Sequence, residues 1–131
     1  MNVYKKIGNK KILLVDDDII MRESLSLLFN THGCNFKATE SAEEAMVEID
    51  HENYDIVISD LRLRGMNGID FLHQLEHTHP DCIKILMTAY GSEQNLADVK
   101  ENKIDDYIKK PLTANDLETC LEGLIGKKTT K

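Results

Sequence analysis

Three aspartates, Asp16-Asp17-Asp18, close the apolar run Ile12-Leu13-Leu14-Val15. Aliphatic residues that end abruptly in carboxylates read as a buried strand with charge at its C-terminal end. Crowded carboxylates repel one another unless a cation neutralises them. Hard oxygen donors, with no Cys or His among them and no calcium-loop spacing, suit Mg2+. Polar residues close other apolar runs too: Ser59-Asp60, Met87-Thr88-Ala89 and Lys109-Lys110-Pro111. Carboxylates, a hydroxyl and an ammonium suit transfer of a phosphoryl group onto an aspartate. A carboxylate can attack phosphorus, a divalent ion offsets the developing charge, and a lysine balances it from another side. Such an attack needs no general base.

The elements that must position these groups are legible. Strand-length apolar runs lie at Lys11–Val15, Asn35–Ala38, Ile56–Ser59, Ile83–Met87 and Tyr107–Ile108. Segments with helical spacing alternate with them, at Ile19–Thr31, Ser41–Asp50, Ile69–His77, Glu93–Lys100 and Thr113–Ile125. Ser41-Ala42-Glu43-Glu44 resembles a capping box, and Thr113 is a plausible cap. Five strands alternating with five helices predict an α/β fold with a parallel sheet covered on both faces. Continuous apolar strands agree, since parallel strands are buried on both sides. Ligands of such sheets bind beyond the carboxyl ends of the strands, where all the polar residues above would gather.

The 131 residues are enough for one domain. We expect an extension at 1–9, a domain at 10–126 and a tail or linker start at 127–131. The net charge of −7 disfavours nucleic acid as a direct partner. No apolar run approaches the ~20 residues of a membrane span. The start Met1-Asn2-Val3-Tyr4-Lys5-Lys6 has no signal-peptide core, so a cytoplasmic location is the expectation. Cys34, Cys82 and Cys120 are odd in number and widely spaced, which argues against disulfides and zinc and for reduced, mostly buried thiols. His73 and His77 have a spacing that can hold a metal, with His79 nearby. No glutamate completes a HExxH motif, however, and a solvated face is the simpler reading.

In order and spacing the chain resembles the response-regulator receiver domain of two-component signalling. The resemblance rests on VDDD at 15–18, Asp60 with Gly68 eight residues later, Thr88-Ala89, and Lys110-Pro111 preceded by Tyr107. It spans nearly the whole chain. It implies a flavodoxin-like (βα)5 sandwich with strand order 2-1-3-4-5. It makes Asp60 the phosphoryl acceptor and gives Mg2+ to Asp17, Asp60 and the backbone carbonyl of Arg62, with Asp16 acting through water. Lys110 would pair with the phosphoryl group or with Asp60, beside a cis bond to Pro111. Thr88 would sense the phosphoryl group and Tyr107 would change rotamer with it, reshaping the surface at 92–125. Asp18 is open to two roles, helix cap or metal ligand. Lys109 reads as a solvated neighbour.

The implied partners are a sensor histidine kinase or histidine phosphotransfer protein, and a downstream effector or linked output domain. Homodimerisation through 92–125 is allowed. The implied activity is phosphoryl acceptance and self-dephosphorylation, without steady turnover. The chain departs from the pattern at Arg64, where the family usually has proline, and mildly at Leu63. Gly65 and Gly68 are expected to give the loop its flexibility. Arg62 and Tyr90 flank the phosphoryl position, and screening of an acyl phosphate by them predicts slow self-dephosphorylation. Three rival readings are weaker. A haloacid-dehalogenase-type hydrolase needs DxD followed by Gly-Thr, whereas Ile19-Ile20 follow Asp18. A nucleotide binder needs a glycine- or Ser/Thr-rich loop after the first strand. A phosphate-independent binding module would have no need of every site residue type.

Overall fold

The computed structural model describes residues 2–89 and 93–128, with the backbone alone at 93–96 and 127–128. The elements run α1 (Val3–Ile7), β1 (Lys11–Val15), α2 (Ile19–Thr31), β2 (Asn35–Thr39), α3 (Ala42–His51), β3 (Ile56–Asp60), α4 (Gly68–Thr78), β4 (Ile83–Thr88), α5 (Glu93–Glu101), β5 (Asp106–Lys109) and α6 (Ala114–Lys128). The five strands form one sheet in the order β2-β1-β3-β4-β5, every pair parallel. This is the flavodoxin-like (βα)5 arrangement.

Side chains alternate across the strands and divide the core in two. Ile12, Leu14, Ile56, Ile58, Ile85 and Met87 pack on one face with Phe29 of α2 and Leu117, Leu121 and Ile125 of α6. Leu13, Val15, Val57 and Leu86 pack on the other with Ala45 of α3, Phe71, Leu72 and Leu75 of α4, and Val99 of α5. Phe29 and Phe71 are fully enclosed, one on each face. Truncating either to Ala removes about 3–5 kcal/mol.

The helix starts follow from the local sequence. Asp18, Ser41 and Asn67 accept from backbone N–H groups in the first turns of α2, α3 and α4. Thr113 and Asp116 exchange side-chain-to-backbone bonds of 2.9 and 3.1 Å at the start of α6, a reciprocal capping box.

The N-terminal segment, expected as an extension, packs against the core. Asn2 caps α1, and Val3 and Ile7 are buried. Lys6 pairs with Glu122 at 3.1 Å, and the Tyr4 hydroxyl donates to Glu118 at 2.5 Å. The Tyr4 ring stacks on His32, with centroids 3.6 Å apart. The total is therefore six helices among the described residues. The last one also continues past Ile125 to Lys128, so Lys127 and Lys128 belong to a helix end. Among the described residues, no helix is long and apolar enough to cross a membrane.

Candidate functional site

In a parallel sheet the carboxyl ends of all strands share one edge. The register places Val15 opposite Ser59, Asp60 opposite Met87, and Thr88 opposite Lys109. The polar residues predicted from the strand ends thus gather there.

Asp16 follows β1 and is fully buried. Its backbone N–H donates to the carbonyl of Thr39 at 3.0 Å. Its own carbonyl accepts from the Arg22 guanidinium at 2.9 Å. Both carboxylate oxygens are engaged: Oδ1 accepts from the Asp18 N–H at 2.9 Å, and Oδ2 from Lys110 Nζ at 3.0 Å. Lys110 Nζ also lies 3.3 Å from Asp60 Oδ1, so one ammonium bridges two acids. Asp17 is exposed beside them. Asp16, Asp17 and Asp60 can each present an oxygen within 4.8 Å of the others. Among the described residues no other group of three acids, histidines or cysteines comes so close.

The charge balance is unequal. Burial raises the Asp60 carboxyl above its ordinary range, and the charges of Asp16 and Asp17 add to that. Lys110 opposes the shift without cancelling it. Burial pulls the Lys110 ammonium down, yet its bond to Asp16 and the charges of Asp16 and Asp60 leave it raised. The lysine is therefore charged at neutral pH. Three carboxylates facing one cation leave negative charge that a second cation would neutralise. An all-oxygen set of hard donors suits Mg2+, which is held by one or two carboxylates and keeps several waters. The residues fit the ion.

The other predicted positions are distributed as follows. Thr88 is buried at the end of β4. Tyr107 is half-buried on the adjacent β5, opposite Leu86 and against the same core face. The backbone N–H of Lys110 donates to the carbonyl of Thr88 at 2.7 Å, and the Lys110–Pro111 bond is cis. Arg62 lies exposed in the loop after Asp60. Tyr90 lies outside the described residues. Asp18 caps α2, its carboxylate accepting from the Ile20 N–H at 3.0 Å, and it stands outside the three-acid group. Cys34 and Cys82 are buried free thiols, and Cys120 is half-buried.

Gly68 contributes space, not the expected flexibility. A β-carbon there would lie 2.0 Å from the Asp60 carbonyl oxygen and 2.9 Å from its carbon. Its N–H donates to the Leu61 carbonyl at 2.8 Å, folding the loop back over the Asp60 peptide. Gly65, with φ of +82°, does need glycine's conformational freedom. One contributor escaped sequence reasoning. Arg22 anchors the Asp16 backbone from the first turn of α2, a position with no strand-end signature. Away from the site, near the start of β4, Lys84 is fully buried. Its ammonium donates to the Cys82 carbonyl at 2.7 Å and lies 2.9 Å from Glu76 of α4.

Known proteins are similar in sequence and fold. Residues 12–122 match the family described as response regulator receiver domain. The chain is similar to the response regulator protein FleR of Pseudomonas aeruginosa, 36% identical over 107 residues that cover 82% of this chain and 23% of FleR. It is similar to the two-component response regulator PhoP of the same organism, 30% identical over 88% of this chain and 51% of PhoP. It thus spans about a quarter to a half of the length of these relatives. A CheY-like receiver domain from Methanospirillum hungatei superposes with a TM-score of 0.87 at 26% identity, covering 94% of this chain and 98% of that one. The response regulator TrrA from Thermotoga maritima, in complex with Mg(2+)-BeF, superposes with a TM-score of 0.78 at 29% identity, covering 88% and 98%. Sequence, fold and the carboxylate edge agree, and this chain belongs to the response regulator receiver domain family.

Proposed function

We propose that this chain is a signalling switch that accepts a phosphoryl group on Asp60. The observation that carries this reading is the convergence of Asp16, Asp17, Asp60 and Lys110 at the carboxyl edge of the sheet. A carboxylate oxygen of Asp60 attacks phosphorus on a phosphohistidine of a sensor kinase or phosphotransfer protein. The P–N bond breaks, the histidine nitrogen keeps the electron pair, and an acyl phosphate forms on Asp60. Asp16, Asp17, Asp60 and the Arg62 carbonyl would hold Mg2+, which supplies charge neutralisation to the transferring group. Lys110 already touches Asp60 and stays charged, so it can follow the new phosphoryl oxygens with little rearrangement.

The phosphoryl group adds about −1.5 to −2 charge and three acceptor oxygens. Thr88, at the end of β4, donates its hydroxyl to one of them. Tyr107 on the neighbouring strand moves inward with it, and the surface at 92–125 changes. That surface then controls an effector, a linked output domain or a second copy of the chain. The receiver unit is taken as 10–126 with α1 docked upon it, and the end of α6 leads into a tail or linker start at 127–131. Arg62 and Tyr90 slow the hydrolysis of the acyl phosphate. The free thiols suit a reducing, cytoplasmic setting.

Intact mass after incubation with acetyl phosphate and Mg2+ tests the reading. It predicts the mass of one added phosphoryl group, lost in Asp60→Asn and in EDTA. No addition while Mg2+ binds would contradict it and favour a phosphate-independent binding module.

A further inference from the structure

Away from the carboxyl edge, two donor atoms converge on the outer face of α4. His73 and His77 stand one turn apart, both exposed, while Phe71, Leu72 and Leu75 of the same helix face the core. Their Nε2 atoms are 3.4 Å apart, and the rings meet at 90°. That separation is long for an N–H donor bond, which favours about 2.7–3.2 Å. It suits a shared cation better. Two Zn–N bonds of about 2.05 Å at the tetrahedral angle hold their nitrogens about 3.4 Å apart. The right angle of an octahedral ion would require about 2.9 Å with similar bonds.

The surroundings favour positive charge. His73 lines an open groove together with Glu43 of α3 and Asp70 of the first turn of α4. The missing glutamate of a HExxH motif removes a hydrolytic base and leaves the ligand pair intact.

We propose that His73 and His77 form a two-nitrogen chelate for a tetrahedral late first-row divalent cation, Zn2+ foremost. The remaining coordination positions are open to water or to a donor from another molecule. Imidazole nitrogens discriminate against Mg2+, so this site and the carboxylate edge take different ions.

Calorimetric titration of the full chain with ZnCl2 in saturating Mg2+ tests the proposal, with imidazole 1H–15N spectra alongside. The expected result is one Zn2+ per chain, with the His73 and His77 nitrogens shifted. Binding is lost in His73→Ala and in His77→Ala and kept in His79→Ala. Both sites are exposed and alanine is the best helix former, so the variants keep the fold. Zn2+ uptake that survives His73→Ala, or that Mg2+ abolishes, would move the ion to the aspartates and overturn the proposal. Absence of Zn2+ uptake would overturn it as well.

Discussion

The backbone of Gly68 approaches the Asp60 carbonyl so closely that a β-carbon would sit 2.0 Å from the oxygen. Backbone blocks backbone here, so neither side can yield by rotating a side chain. Gly68→Ala is expected to push the loop off Asp60 and slow phosphorylation by acetyl phosphate by about a hundredfold, the scale of a 1 Å misplacement. A near-normal rate in this variant would show that the loop does not fix the acceptor.

The raised Asp60 carboxyl carries a signed consequence. A group whose folded pKa lies above its unfolded value destabilises the fold once it is ionised. That penalty is full above the raised pKa and fades as the pH falls through it toward the ordinary carboxylate range. Asp60→Asn is therefore expected to raise the melting temperature at neutral pH in EDTA. It should also erase the stabilisation that Mg2+ gives the parent chain. An equal Mg2+ increment in both proteins would place the ion elsewhere.

Lys84 and Glu76 form an ion pair whose lysine is wholly shielded from water. Glu76→Ala leaves the buried ammonium to the Cys82 carbonyl and to Asp105 at 4.0 Å, and is expected to cost about 3 kcal/mol in urea unfolding. Replacing both charges, Lys84→Met with Glu76→Leu, leaves neither partner of the pair unmatched and should cost less than Glu76→Ala alone. A loss in the double variant as large as that of Glu76→Ala would contradict this.

Ile7 is 1% exposed and anchors α1 to the face shared with α2 and α6. Ile7→Ala is expected to lower unfolding free energy by about 3 kcal/mol, measured by urea titration. A change within error would show that α1 is peripheral.

What the sequence makes legible divides along physical lines. Strands such as Ile56–Asp60 are legible because burial on both faces demands an unbroken apolar run, and Asp60 marks where that run meets the edge. The gathering of Asp16, Asp17, Asp60 and Lys110 is legible because a parallel sheet aligns its carboxyl ends. The helix α1 is not, since two apolar residues four apart in five make no resolvable period. Lys84 is not, since its burial depends on Glu76, eight residues earlier on a different element. The role of Gly68 needs coordinates, because a close approach between two backbones leaves no mark on composition. Asp18 offered two roles, and its 3.0 Å bond to the Ile20 N–H gives it the cap.

Borohydride reduction after acetyl phosphate treatment, followed by peptide mapping, identifies the phosphorylated aspartate. An aspartyl phosphate is reduced to homoserine, so homoserine is expected at position 60 alone, dependent on Mg2+. Homoserine at position 16 or 17, or none anywhere despite bound Mg2+, would contradict the assignment of Asp60 as the phosphoryl acceptor.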